Sequence, residues 1–266
     1  MNASATLSVG LTPCPNDTWM FDAVASGRLP FGAQLALDLQ DIETLNERAL
    51  ARHYDIVKVS CALYGQLARD YALLDVGAAV AEGYGPLILT RKPMTTKALV
   101  AARVVGPGAH TTGNALARLY APGLRVTQLR YDEIMPAVAR GEFDAGIVIH
   151  EGRLTFETYG LHCQVDLGAW WTATTGLPVA LGCYLIRREL YTTYARPFEA
   201  LLRESLALAR AKPEIGPFVR AHAQEMDEDV LRDYIALYVN ERTTRLGADG
   251  REAITALGAR LAAAHA

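Results

Sequence analysis

His150 directly follows the apolar run Gly146–Ile149. A strand would therefore deliver it to the edge of a sheet, where a cleft can open. Imidazole moves protons near neutral pH, with an ordinary pKa of about 6.5. A lone histidine can equally be structural. Lys58 and Ser60 share one side of a strand that ends at Ser60. The lysine either snorkels or meets an anion, and the serine either caps a helix or contacts a ligand. Gly106-Pro107-Gly108 ends another strand, and Thr111-Thr112 opens a helix. Free amides and the positive end of the helix dipole make that turn an anion seat. Pro13-Cys14-Pro15-Asn16-Asp17 is a stiff turn at a strand end. Asn16 and Asp17 there can cap a helix or reach a ligand. Cys14 would need a base to act as a nucleophile, and none is adjacent in sequence.

Familiar templates do not fit. The third position of a dinucleotide fingerprint is Thr111, and no lysine follows a glycine as a P-loop requires. Ser60 lacks a nucleophile-elbow context. Leu154 stands where a zincin needs its second histidine. His110, beside the anion turn, can contact substrate. His53, His162, His222 and His265 read as structural, and Trp170-Trp171 as a core wedge.

These residues need strands and helices to place them. Strands are expected at Thr6–Leu11, Gln34–Leu39, Tyr54–Val59, Leu73–Val76 and Pro86–Thr90. Asn16 or Asp17 would cap a helix over Thr18–Ser26, and Asp41 or Thr44 the next one. After Pro93 the pattern restarts, with strands at Ala98–Val105, Leu124–Leu129, Phe143–Ile149, near Cys163–Leu167 and at Leu181–Ile186. Helices follow from Glu189, interrupted at Pro213. Alternating strands and helices predict an α/β protein with mostly parallel sheets. The restart predicts a first lobe of residues 1–92 plus 179–266 and an inserted lobe of residues 93–178. A central cleft between them suits a small molecule. Ser60 belongs to one lobe and Thr111 and His150 to the other, so a bridging ligand would close the cleft about a hinge.

The chain has 266 residues, 51% hydrophobic and 21% charged, with a formal net charge of −3. This excludes a disordered class and gives no basic field for nucleic acid. No apolar run approaches the roughly 20 residues of a membrane helix. The first ten residues lack the charge and apolar block of a secretory leader. Four cysteines without metal-ligand spacing suggest reduced, buried thiols and a cytoplasmic protein. Monomer or weak homodimer is the expected state.

Seven segments in order resemble a known family. They are residues 12–18 (TPCPNDT), 41–46 (DIETLN), 58–60 (KVS), 108–112 (GAHTT), 130–132 (RYD), 149–155 (IHEGRLT) and 165–171 (VDLGAWW). Together they are similar to the 1,4-dihydroxy-6-naphthoate synthase family of menaquinone biosynthesis. The resemblance implies a two-lobed fold like that of type II periplasmic solute-binding proteins. It implies a lyase of the futalosine route that converts cyclic dehypoxanthine futalosine to 1,4-dihydroxy-6-naphthoate and releases a dihydroxyacetone fragment. It implies His150 as proton acceptor, and Lys58, Val59, Ser60, Thr111, Thr112 and Gly113 as contacts to a small carboxylate substrate. It also implies that no metal or organic cofactor is needed. Three alternatives share the fold: a non-catalytic solute-binding protein, a ligand-sensing domain and the sister family chorismate dehydratase.

Overall fold

In the computed structural model, which describes residues 5–212, 214–223 and 227–264, the strands fall into two sheets. The break expected at Pro213 and His265 lie outside the described residues. The strands are β1 (Thr6–Leu11), β2 (Gln34–Leu39), β3 (Ile56–Ser60), β4 (Tyr71–Leu73), β5 (Ala79–Ala81), β6 (Leu87–Thr90), β7 (Val104–Gly106), β8 (Val126–Gln128), β9 (Ala145–Val148), β10 (His162–Asp166) and β11 (Val179–Arg187). The first sheet has the order β2-β1-β3-β11-β4, with β5 also paired to β11. The second has the order β10-β6-β9-β7-β8.

Both sheets are mixed rather than mostly parallel. β1 pairs parallel with β2 and β3, whereas β11 runs antiparallel to β3, β4 and β5. In the second sheet, β7 pairs parallel with β8 and β9, but β6 runs antiparallel to β9 and β10. β6 and β11 are the first strands after each passage between the sheets, so each enters its sheet against the local direction. β6 lies in the second sheet, so the first passage precedes Leu87 and the expected boundary at Pro93 is several residues late.

Two local expectations also shift. Residues 96–101 form a helix, with Thr95 accepting from the Ala98 amide, and only Val104–Gly106 is strand. A short apolar run rich in alanine suits either element, and packing chose here. The first helix begins at Pro15, one turn earlier than expected, with Cys14 at its N-cap. Proline suits the first helical position because it has no N–H to leave unpaired.

The first sheet packs its other face against helices Pro15–Ala25 and Arg188–Ala211 through Met20, Phe21, Phe198 and Leu202. A second apolar cluster joins the sheets. It runs from Val57, Val59 and Leu185 through Leu116, Ala117, Leu167 and Trp171 to Ile88, Val104 and Ile147. The lobes are therefore held together by continuous apolar packing as well as by the two chain passages. No helix among the described residues is long and apolar enough to cross a membrane.

Candidate active site

The ends of β1, β3 and β9 and the start of helix Thr112–Tyr120 surround one cavity, with about 630 Å³ of empty space including its mouth. Asn16, Asp17, Lys58, Ser60, Thr111, Thr112, Gly113 and His150 all line it. Val59 does not. Its side chain is fully buried in the shared apolar cluster, because alternation along β3 turns it away from Lys58 and Ser60.

Lys58 and Asp17 form a buried ion pair. Lys58 Nζ donates to Asp17 Oδ1 at 2.9 Å and to the Gly77 carbonyl at 2.8 Å, and lies 4.8 Å from the centre of the Tyr184 ring. Gly182 on β11 makes room for this lysine, since a Cβ there would sit 2.9 Å from Lys58 Cε. The other Asp17 oxygen accepts the Thr12 hydroxyl at 2.6 Å. Asp17 thus organises the turn and holds the lysine in place.

Ser60 is set by Asn46, which lies inside one of the quoted segments but was assigned no role there. The Asn46 amide donates to Ser60 Oγ at 3.0 Å, and its Oδ1 accepts the Ser60 amide at 2.9 Å. Asn46 comes from the helix Ile42–Leu50, whose start is capped by Asp41 as expected.

Thr111 caps its helix by accepting the Asn114 amide. The Thr112 hydroxyl donates to the Leu181 carbonyl at 2.7 Å and accepts from the Ala62 amide at 3.2 Å. It therefore clasps the two lobes, and what this turn offers a ligand is its backbone. The first-turn amides of Thr112 and Gly113 have no helix carbonyl to bond, as at any helix start. Gly113 lets this turn approach β9, because a Cβ would meet Ile149 Cγ2 at 3.0 Å. His110 is drawn off to the first lobe, with Nδ1 2.7 Å from Glu43 Oε1, and does not line the cavity.

His150 sits two residues beyond β9 with φ of +60°, a left-handed backbone uncommon for a residue with a side chain. Strained positions of this kind gather at functional sites. The Tyr131 ring meets the imidazole edge-on at 4.8 Å. Burial lowers the imidazole pKa to about 4, against the upward pull of Asp17 and Asp41. It is neutral at physiological pH and can accept a proton.

Its nearest polar neighbour is Cys14, with Sγ 3.1 Å from His150 Nδ1. Burial pushes the thiol pKa well up, and the charge of Glu151 adds to this. The thiol is thus protonated, which argues against a thiolate nucleophile. Donor atoms of Cys14, His150 and Glu151 lie within 4.8 Å of one another. A cation could meet them only by displacing the thiol proton, so the cluster is better suited to handling protons. Cys14, Cys61 and Cys183 are buried, but Cys163 on the edge strand β10 is exposed, contrary to the expectation for all four.

Tyr234 and Tyr238 line the cavity from the helix Glu228–Tyr238, with ring centres 4.7 Å apart. Their four-residue spacing puts both on one helix face, a signal present in the sequence but indistinguishable there from core packing. Trp171 is indeed buried, as expected of a wedge, and donates to the Pro178 carbonyl.

A family model described as "Menaquinone biosynthesis" matches residues 7–263. The chain belongs to this family. It is 43% identical to a 1,4-dihydroxy-6-naphthoate synthase of Thermus thermophilus over 252 residues, covering 94% of this chain and 92% of the relative. It is 42% identical to the enzyme of the same name from Streptomyces coelicolor over 265 residues, covering 97% and 93%. Among solved structures, protein AF1704 from Archaeoglobus fulgidus superposes with a TM-score of 0.91 at 31% identity, covering 97% of both chains. The periplasmic aliphatic sulphonate binding protein SsuA from Escherichia coli superposes with a TM-score of 0.64 at 14% identity, covering 89% of this chain and 80% of that one. Members of the menaquinone-biosynthesis family thus share the two-lobed architecture of periplasmic binding proteins, as the resemblance implied.

Proposed function

We propose that this chain is a lyase that forms 1,4-dihydroxy-6-naphthoate from cyclic dehypoxanthine futalosine in menaquinone biosynthesis. The product follows from the 43% and 42% identity, across nearly the whole chain, to two synthases of that name. The observation that carries the chemistry is a neutral His150 lining the same cavity as the helix start at Thr112 and Gly113. Expelling a three-carbon fragment and aromatising the ring both require a proton to leave a position near a carbonyl. His150 takes it as general base, a role that contributes about 10²–10⁴-fold. The amides of Thr112 and Gly113 receive the substrate carboxylate, which the product retains. Tyr234 and Tyr238 flank the ring system, and Asn16 and Ser60 offer hydrogen bonds to its oxygens.

The enzyme acts on this small carboxylate in the cytoplasm, as a monomer or weak homodimer. The free cysteines support that setting. The test is incubation of the purified protein with cyclic dehypoxanthine futalosine, with product read by mass spectrometry. Formation of the naphthoate supports the proposal. Tight binding without turnover would leave a solute-binding protein instead.

A further inference from the structure

We propose that Arg153 is a positioning residue whose guanidinium fork fixes the turn that carries His150 into the cavity. The inference rests on the reading of His150 as the base and names what holds it in place. His150 has a left-handed backbone with φ of +60°. Arg52 shares that conformation with φ of +57°, but it follows the C-cap of a helix, where a left-handed residue is ordinary. His150 follows a strand instead. A residue with a side chain stays in this region only where its surroundings over-determine it.

The chain is pinned on both sides of the turn. Before it, β9 is paired with β6 as far as Val148, which lies opposite Leu87. After it, Arg153 Nη1 donates to the Gly85 carbonyl at 2.6 Å and Nη2 to Asp166 Oδ2 at 2.9 Å. The guanidinium also lies 5.4 Å from the centre of the Tyr84 ring. In between, Gly152 passes so close to β9 that a Cβ would sit 2.6 Å from Val148 Cγ1.

The frame that receives the fork is itself closely built. Asp166 Oδ1 accepts the amides of Gly168 and Ala169 and caps the helix Leu167–Thr175. The Leu167 amide donates to the Pro86 carbonyl at 2.9 Å. A Cβ on Gly168 would lie 2.1 Å from the Tyr84 carbonyl, so the two backbones touch. Gly85 and Pro86 line the cavity with His150, and Arg153 thus ties the base to a second wall. The charges that act on the imidazole are Asp17, Asp41 and Lys58. Its other titratable neighbours are Cys14, Tyr131 and Glu151, and Tyr234 and Tyr238 line the same cavity. Arg153 acts through the turn.

The test compares wild type, Arg153→Lys and Arg153→Met by NMR titration of the His150 imidazole and by kinetics at pH 8. The His150 signal is identified as the one missing from His150→Asn. In wild type it should titrate near 4. In Arg153→Met the turn relaxes and admits water, so the signal should move toward the ordinary value of about 6.5. The imidazole is neutral at pH 8 in either case, so a rate loss there reports misplacement. In Arg153→Met, kcat should fall about 10–100-fold and KM should rise no more than about threefold. Arg153→Lys keeps the charge but not the planar fork, and should fall between the two. An Arg153→Met titration still near 4 overturns the proposal, whether or not the rate falls. So does a lysine variant equal to wild type, which would leave only an effect of charge. An active His150→Asn variant would instead remove the base assignment, and the titration would still decide what holds the turn.

Discussion

Lys58–Asp17, fully buried, and Cys14–His150, partly buried, are two polar pairs that meet at one cavity, with Asp17 and Cys14 about one helical turn apart at the start of the first helix. The first pair is charged and saturated, because Lys58 also reaches the Gly77 carbonyl and Asp17 also takes the Thr12 hydroxyl. The second is neutral, because burial lowers the imidazole and raises the thiol. Opposite charges in contact can survive desolvation, whereas a buried group without an adjacent counter-ion discharges. The charged pair therefore builds the site, and the neutral pair is the one with a lone pair left to react.

The sharpest way to break this contrast is His150→Asn. Turnover should fall 10²–10⁴-fold while product binding and folding are retained. A variant near the wild-type rate would make both pairs structural. The charged pair should answer in stability instead. Asp17→Ala strands Lys58 and should cost about 3–5 kcal/mol in denaturant unfolding. A loss below about 1 kcal/mol would show that the pair does not anchor the turn.

Acid separates the pairs in a different way. His150 titrates at about 4 in the folded chain and near 6.5 when unfolded, so the unfolded chain binds more protons between these values. This contribution to stability is whole above about pH 6.5, declines as pH falls toward 4 and levels off below. The span is about 3 kcal/mol at most. His150→Asn should flatten that part of the stability profile. The acidic limb of kcat/KM should lie near 4, well below the ordinary histidine value expected from sequence. A limb near 6.5 would mean the imidazole is solvated in the working enzyme.

Smaller effects belong to the helix start that faces both pairs. Thr112→Val breaks the bonds to Leu181 and Ala62 and should cost about 1–3 kcal/mol of stability, with KM raised more than kcat is lowered. An unchanged KM would place the carboxylate elsewhere. Thr111→Ala removes the cap and a bond to the Gly108 carbonyl, both within its own turn, and should cost about 1 kcal/mol. Thermal unfolding measures both, and equal losses would deny the Thr112 hydroxyl its interlobe role.

The sequence by itself determined the parts of this protein that depend on near neighbours. Asp41 caps the helix it was expected to cap, and Thr111 caps the helix expected to open at Thr111-Thr112, because a cap bonds amides two or three residues away. The strand ends at Ser60 and before His150, and the quoted segments that placed the chain in its family, were likewise legible along the chain. Tertiary structure alone decided the pairings. Cys14 and His150 are 136 positions apart, so no local pattern could supply the cysteine with its imidazole. Only the close approach of the lobes shows that the Thr112 hydroxyl is bound to Leu181, or that His110 belongs to Glu43. The protonation of His150 is set there too, since desolvation belongs to the assembled cavity and not to any residue that lines it.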